Sequence, residues 1–266
     1  MPVTTRYGDD TVNLDVRNDV LDLLLAHRSV RKFAPGDVSD DQVRAMVAAA
    51  QSAATSSNLQ PWSVVVVRDP ERKARLATYA AGQAFIEEAP VLLVWVADLS
   101  RARRLAARSG TSVDAADYFE TTIIGFVDTA LAAQNAVVAA ESLGLGTVFV
   151  GAIRNHPVRV AAELGLPPHA VATFGLSVGI PDQTEHAGVK PRLPQDAVVH
   201  HERYEAEAAD AHIPGYDARL AAYNLRHGLP DGGWTDRVLK RLAGPESMAG
   251  RHRLREVLDG LGLPSR

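Results

Sequence analysis

Residues 117–146, DYFETTIIGFVDTALAAQNAVVAAESLGLG, constrain the fold of this chain more than any other stretch. Wound as a helix the run is apolar on nearly every face, so it either crosses a membrane or is buried on all sides. Asp128, Gln134, Asn135 and Glu141 interrupt it, and its longest uncharged run, Thr129–Ala140, falls short of the roughly 20 residues a bilayer demands. The expectation is a central helix of a soluble protein. A chain of 266 residues often needs a second subunit to bury such a helix completely. A dimer interface is therefore the expected cover, with an intrachain core as the alternative.

Composition narrows the class. The net charge of −4 offers no basic excess for a nucleic-acid surface, and the absence of cysteine excludes disulfides, Cys-ligated zinc and iron–sulfur clusters. The start, MPVTTRYGDDTVNLD, lacks the charged-then-apolar pattern of a signal peptide. A cytoplasmic enzyme with no membrane partner follows as the expectation.

Helix and strand signals alternate around the central run. Apolar periodicity predicts helices at Leu14–Ala26, Ser39–Ala53, Pro70–Ala80, Asp117–Leu143 and His156–Leu164. Ser39 with Gln42 three residues on is a capping-box pattern. Strands are predicted at Trp62–Arg68, Val91–Asp98, Thr147–Ile153 and Val171–Ile180, nearly continuously apolar and hence covered on both faces. That is a layered α/β or α+β domain. We expect residues 1–16 to be an extension, 17–190 a core, and 191–266 an arm or cap of the same domain.

The chemistry concentrates in three places. HRSVRKF sets His27, Arg28, Arg31 and Lys32 directly after an apolar helix, and Lys190-Pro191-Arg192 supplies a second cationic pair around a rigid proline. Between a helix and a strand, Thr55–Trp62 (TSSNLQPW) strings hydroxyl and amide side chains together. Cations with hydroxyls suit a phosphate monoester, and amides suit a heterocycle's polar edge. The implied ligand is a phosphorylated, ring-bearing cofactor.

HRSVRKF, TSSNLQPW, GLGTVFVGAIRN and KPRLP, in this order, resemble the FMN-dependent nitroreductase family. Order and spacing are most similar to its branch of major oxygen-insensitive NADPH nitroreductases and flavin reductase P, over roughly residues 20–242. The resemblance implies a three-layer α+β fold with a mixed central sheet flanked by helices, a long buried interface helix, a C-terminal arm, and a homodimer with two interface FMN sites. It implies non-covalent FMN held by His27, Arg28, Ser29, Arg31, Thr55, Ser56, Ser57, Gln60, Gln83, Val150, Gly151, Ala152, Lys190 and Arg192. Among these, Arg28, Lys190 and Arg192 match the phosphate side, and Arg31 matches a cation near the pyrimidine edge that favours the reduced ring. Asn58, Phe85, Arg154 and Arg226 are implied for the nicotinamide nucleotide or substrate.

The implied activity is ping-pong hydride transfer from NAD(P)H to nitroaromatics, quinones or free flavin. The cofactor does the chemistry, so no residue is expected as a catalytic acid or base, and no metal is expected. An FMN-storing or sensing protein, and a specialised reductase on the same fold, are the alternatives. Two departures stand out. The family's Gly-Gly is Gly151-Ala152 here, and LPDGGW places Asp231, Gly232 and Gly233 where the branch carries arginine. NADPH remains the expected reductant ahead of NADH.

Other features invite blander readings. Gly144 and Gly146 follow a helix and precede a strand, a helix end rather than a dinucleotide loop. His200-His201 reads as surface loop, Glu87-Glu88 as a helix end, Trp62 and Trp95 as core, and RARRLAARSG (101–110) as a solvated loop or lid edge.

Overall fold

The computed structural model of the protein describes residues 2–10, 12–263 and 266. In chain order the first helices are α1 (Pro2–Tyr7), α2 (Asp19–Ala26), α3 (Asp40–Gln51), α4 (Pro70–Tyr79), α5 (Phe85–Glu88) and α6 (Ser100–Ser109). They continue as α7 (Phe119–Ser142), α8 (Pro157–Leu164), α9 (Ala206–Asp210), α10 (Ile213–Arg226), α11 (Trp234–Arg241) and α12 (Leu254–Gly260). The strands are β1 (Trp62–Val67), β2 (Val91–Asp98), β3 (Gly146–Val150) and β4 (Ala170–Gly179). The chain divides into two compact units, Met1–Arg28 with Thr184–Met248, and Ser29–Gln183 with Ala249–Arg266.

In the second unit the strands run in the order β1-β2-β4-β3, each neighbour antiparallel. The sheet is therefore antiparallel rather than mixed as expected, and the Ser29–Thr147 parallel contact is an isolated bridge outside the strands. Alternation of side chains explains why β2 is apolar throughout. Leu93 and Trp95 join Met46 of α3 and Ala132, Ala136 and Val137 of α7 on one face. Leu92 and Val94 join Leu76 of α4, Ile86 of α5 and Val160 of α8 on the other. Each face has its own core.

Local rules set the helix limits. Ser39 and Gln42 form the reciprocal capping box at α3, with bonds of 3.2 and 2.9 Å. Asp69 caps α4 by accepting the Arg72 N–H at 2.7 Å, with Pro70 at the first position. Helix α2 starts at Asp19 rather than Leu14, because the Asn18 side chain accepts the Leu21 N–H at 2.9 Å. Strand β3 stops at Val150, and the rest of the predicted strand is a 3₁₀ turn, Gly151–Asn155. Gly144, at φ +77°, ends α7 as expected.

The central helix is not enclosed within one chain. Its alanine face packs on α3 and the sheet, while Ile123, Val127 and Leu131, four residues apart, stay 41–49% exposed. Three of its polar interruptions have partners, and the fourth, Gln134, is exposed. Asn135 donates to the Ala49 carbonyl at 3.2 Å, Thr147 donates to Glu141 at 3.4 Å, and Asp128 holds a loop described below. Residues 101–110 are corrected from loop to helix: α6 is a mostly exposed polar helix, closed by left-handed Gly110 and tied by the Arg103–Asp117 ion pair.

In the first unit, Tyr216, Leu220 and Tyr223 of α10 form a small core with Leu193 and Trp234. Asp217 caps α11, accepting the Trp234 and Thr235 N–H groups at 2.7 and 2.8 Å and the Thr235 hydroxyl at 2.6 Å. The Thr235 hydroxyl, ahead of the backbone donors, holds the Asp217 carboxyl below its usual range despite some burial.

Candidate functional site

The cationic residues of the first unit lie on two segments with well-defined backbone. His27 is the C-cap of α2, and Arg28 follows it with its guanidinium 3.1 Å from Glu185. The second segment, Gly188–Arg192, is pinned along its length. Tyr223 donates its hydroxyl to the Gly188 carbonyl at 2.8 Å and accepts the Gly188 N–H at 3.2 Å. Tyr216 donates to the Pro191 carbonyl at 3.0 Å. The Lys190 ammonium lies 5.8 Å from the centre of the Tyr223 ring, and the exposed Arg192 donates to the Lys190 carbonyl at 3.1 Å. Guanidinium groups and an ammonium on stiff backbone are the residue types that suit a phosphate dianion.

Arg226 stands in the last turn of α10 and lines a pocket of about 400 Å³ with Thr4, Thr5, Arg219, Tyr223 and His227. The following LPDGGW is accounted for by packing. Gly232 has φ +115°, and a Cβ on Gly233 would sit 2.7 Å from the Asp217 carboxylate that caps α11. No side chain fits there without displacing that cap.

In the second unit the chain from Ser29 to Lys32 runs hard against the sheet. Val30 donates to the Thr147 carbonyl and Ala34 to the Ile180 carbonyl, both at 2.9 Å. A Cβ on Gly146 would lie 2.8 Å from Val30, and one on Gly179 2.7 Å from Phe33, so both positions require glycine for this approach. The run fixes the backbone of Arg31, whose side chain is exposed.

The hydroxyl loop is organised by a charge inside α7. Asp128, only 3% exposed, accepts the Thr55 hydroxyl and, at 3.1 Å, the Ser56 N–H. Thr55 in turn accepts the Gln60 N–H at 3.0 Å. Within this frame Ser57, Asn58 and Gln60 all take positive φ, +48°, +55° and +48°, a conformation costing non-glycine residues on the order of 1 kcal/mol or more each. Arg101 closes the far end, donating to the Gln60 carbonyl at 2.8 Å and to Trp62 and Ser63. The loop is held in a strained form with exposed Ser57, Asn58 and Gln60 side chains.

The remaining positions of this unit lie on short turns. Gln83 follows left-handed Ala81 and Gly82 and is half-buried; Phe85 opens α5 and packs on the second core face. Val150 is buried, and Gly151 and Ala152 begin the 3₁₀ turn. The methyl that distinguishes Ala152 from glycine packs against that same core face. Arg154 turns back over Gly151 to donate to the Thr173 carbonyl of β4.

His27, Arg28, Lys190, Arg192 and Arg226 thus belong to the first unit. Ser29, Arg31, Thr55, Ser56, Ser57, Asn58, Gln60, Gln83, Phe85, Val150, Gly151, Ala152 and Arg154 belong to the second. Sequence reasoning missed the residues that organise them: Asp128, Arg101, Glu185 and Arg6. Asp128 left a signal, a lone carboxylate in an otherwise apolar run. Arg6 and Glu185 left none.

The α+β fold, the strained hydroxyl loop and the two cationic segments are the features to set against known proteins. Family models then match on both sides: the nitroreductase family over residues 24–180 and the nitroreductase family C-terminal domain over residues 190–266. The chain belongs to the nitroreductase family. It is 38% identical to an NADPH-flavin oxidoreductase of Vibrio harveyi over 251 residues, 94% of this chain and 100% of that protein. It is 35% identical to an FMN reductase (NADPH) of Bacillus subtilis (strain 168), covering 84% of this chain and 90% of that one. The solved NADPH:FMN oxidoreductase from Vibrio harveyi complexed with NAD+ superposes with a TM-score of 0.83 at 37% identity, covering 94% of this chain and all of that one.

Proposed function

We propose that this protein is an FMN-dependent NAD(P)H oxidoreductase that reduces nitroaromatics, quinones or free flavin in two-electron steps. The observation that carries the reading is the strained TSSNLQ loop held by Asp128, in a chain of this family. FMN, when bound, supplies the electron-carrying chemistry. Arg28, Lys190 and Arg192 bind the phosphate; Ser29, Arg31, Thr55, Ser56, Ser57 and Gln60 serve the polar edge of the ring. His27, Gln83, Val150, Gly151 and Ala152 complete the cofactor contacts, and Asn58, Phe85 and Arg154 face the incoming nucleotide or acceptor. The protein supplies position and electrostatics, not a general acid or base.

The reading includes a homodimer, and one exposed face of the central helix supports it. The Ile123–Val127–Leu131 stripe is an apolar face on an otherwise core helix, and a second copy would cover it. The reading is of a soluble cytoplasmic homodimer with two interface FMN sites. NADPH is the preferred reductant, with Arg226 gripping its 2′-phosphate; the LPDGGW turn, committed to capping α11, adds no further cation.

Initial rates with varied NADPH and a quinone or nitroarene test the activity. Parallel double-reciprocal lines are expected; no NAD(P)H consumption with any acceptor would favour storage or sensing. Arg226→Ala should raise KM for NADPH about tenfold and leave NADH nearly unchanged, the loss of one charge-assisted contact. Equal weakening of both would remove Arg226 from this role.

A further inference from the structure

Arg6 lies on α1, before the first residue matched by the family models, yet its side chain is 7% exposed and wholly committed. Its guanidinium donates to the carbonyls of Leu25 at 3.1 Å, Lys190 at 3.0 Å and His27. Its own carbonyl accepts the Arg192 N–H at 3.0 Å. One residue therefore touches the backbone on both segments that carry the cations, immediately beside Arg28 on one and at Lys190 and Arg192 on the other.

The chemistry of the contact is specific. Leu25 and His27 contribute carbonyls at the C-terminal end of α2, the negative end of its dipole. Oxygens of that kind beside Arg28 would repel a phosphate, and a buried cation across them offsets their charge. A planar fork of N–H groups can bridge three carbonyls on two segments, whereas a lysine ammonium cannot reach them with the same fixed geometry. The segment bearing Arg6 is itself anchored. Asp9 pairs with Arg219 of α10 at 2.8 Å, and Gly8, at φ +79°, lies close enough to Pro191 that a Cβ would come within 3.3 Å of its ring.

We infer that the N-terminal segment is a brace for cofactor phosphate, with Arg6 as a positioning residue that sets the spacing of Arg28 against Lys190 and Arg192. The inference rests on the assignment of those three cations to the phosphate of FMN. It locates part of the cofactor affinity in α1, outside the matched family regions.

The test is flavin binding to the full-length protein, followed by fluorescence quenching, for wild type, Arg6→Ala and Arg6→Lys, with FMN and with riboflavin, which lacks the phosphate. Circular dichroism identifies the folded variants. Arg6→Ala should weaken FMN by about tenfold or more while riboflavin binding changes less than about twofold, and Arg6→Lys should recover only part of the loss. Unchanged FMN affinity in Arg6→Ala, or equal losses for FMN and riboflavin, would overturn the brace. If Arg6→Ala does not fold, the same FMN-to-riboflavin ratio in Arg6→Lys decides. Wild type that binds neither flavin would instead overturn the flavin assignment itself.

Discussion

The two regions assigned to the cofactor are organised by buried charges of opposite sign. In the hydroxyl loop an anion, Asp128, gathers a hydroxyl and an N–H group; along the cationic segments a cation, Arg6, gathers carbonyls. The difference follows from what each region must present. On the proposed reading, cationic segments that meet a dianion need their carbonyls neutralised, so the organiser is positive. On the same reading, a loop that meets the polar edge of a ring needs a fixed, strained backbone, and a carboxylate capping two donors supplies it.

The largest expected effect breaks the loop side. Asp128→Ala strands the Thr55 hydroxyl and the Ser56 N–H and removes the restraint on three left-handed residues. It should cost about 1.5–3 kcal/mol in urea unfolding and weaken FMN and riboflavin alike. Stability within experimental error of wild type would show that the loop does not depend on Asp128. On the cationic side, Arg28→Ala or Arg192→Ala should cost about 1.5–3 kcal/mol of FMN binding and spare riboflavin. Stoichiometric FMN retained by the double variant would show the phosphate lies elsewhere.

A smaller effect sharpens the same side. Glu185 holds the Arg28 guanidinium at 3.1 Å and competes with any phosphate for it. Glu185→Gln should tighten FMN by a few-fold, the range of a partly exposed ion pair; weaker binding would mean Glu185 orients Arg28 productively. The smallest effect concerns Asp98, next to the loop's closing residue. Burial would raise its carboxyl, but donation from the Ser100 and Ser63 hydroxyls and the Arg101 charge hold it below the usual 3.8. A depressed folded value gives stability that is complete above the unfolded pKa and is lost as pH falls through the folded one. Ser100→Ala should remove about 1 kcal/mol of stability near neutrality and move the acid-unfolding midpoint upward. An unchanged midpoint would contradict this.

The layers were legible because they obey local rules. β2 matches its predicted limits, and the Ser39 capping box, the Gly144 helix end and the central helix all follow from periodicity and cap chemistry. The hydroxyl loop and cationic segments were visible as residue types in order. Their organisers were not, since the partners of Arg6, Asp128 and Glu185 lie 19 to 184 residues away in the chain. The polar helix α6 was misread as loop because its exposed face carries no apolar stripe to reveal the period. Helix α1 escaped because six residues are too short to show a helical period.

The most direct test of the account is the visible absorption spectrum of the purified protein, followed by anaerobic titration with NADPH. The account predicts two flavin bands, about one FMN per chain, bleached by one equivalent of NADPH and restored by a quinone. A protein that stays colourless after incubation with FMN, or yellow flavin that NADPH and NADH both leave unchanged, would contradict it.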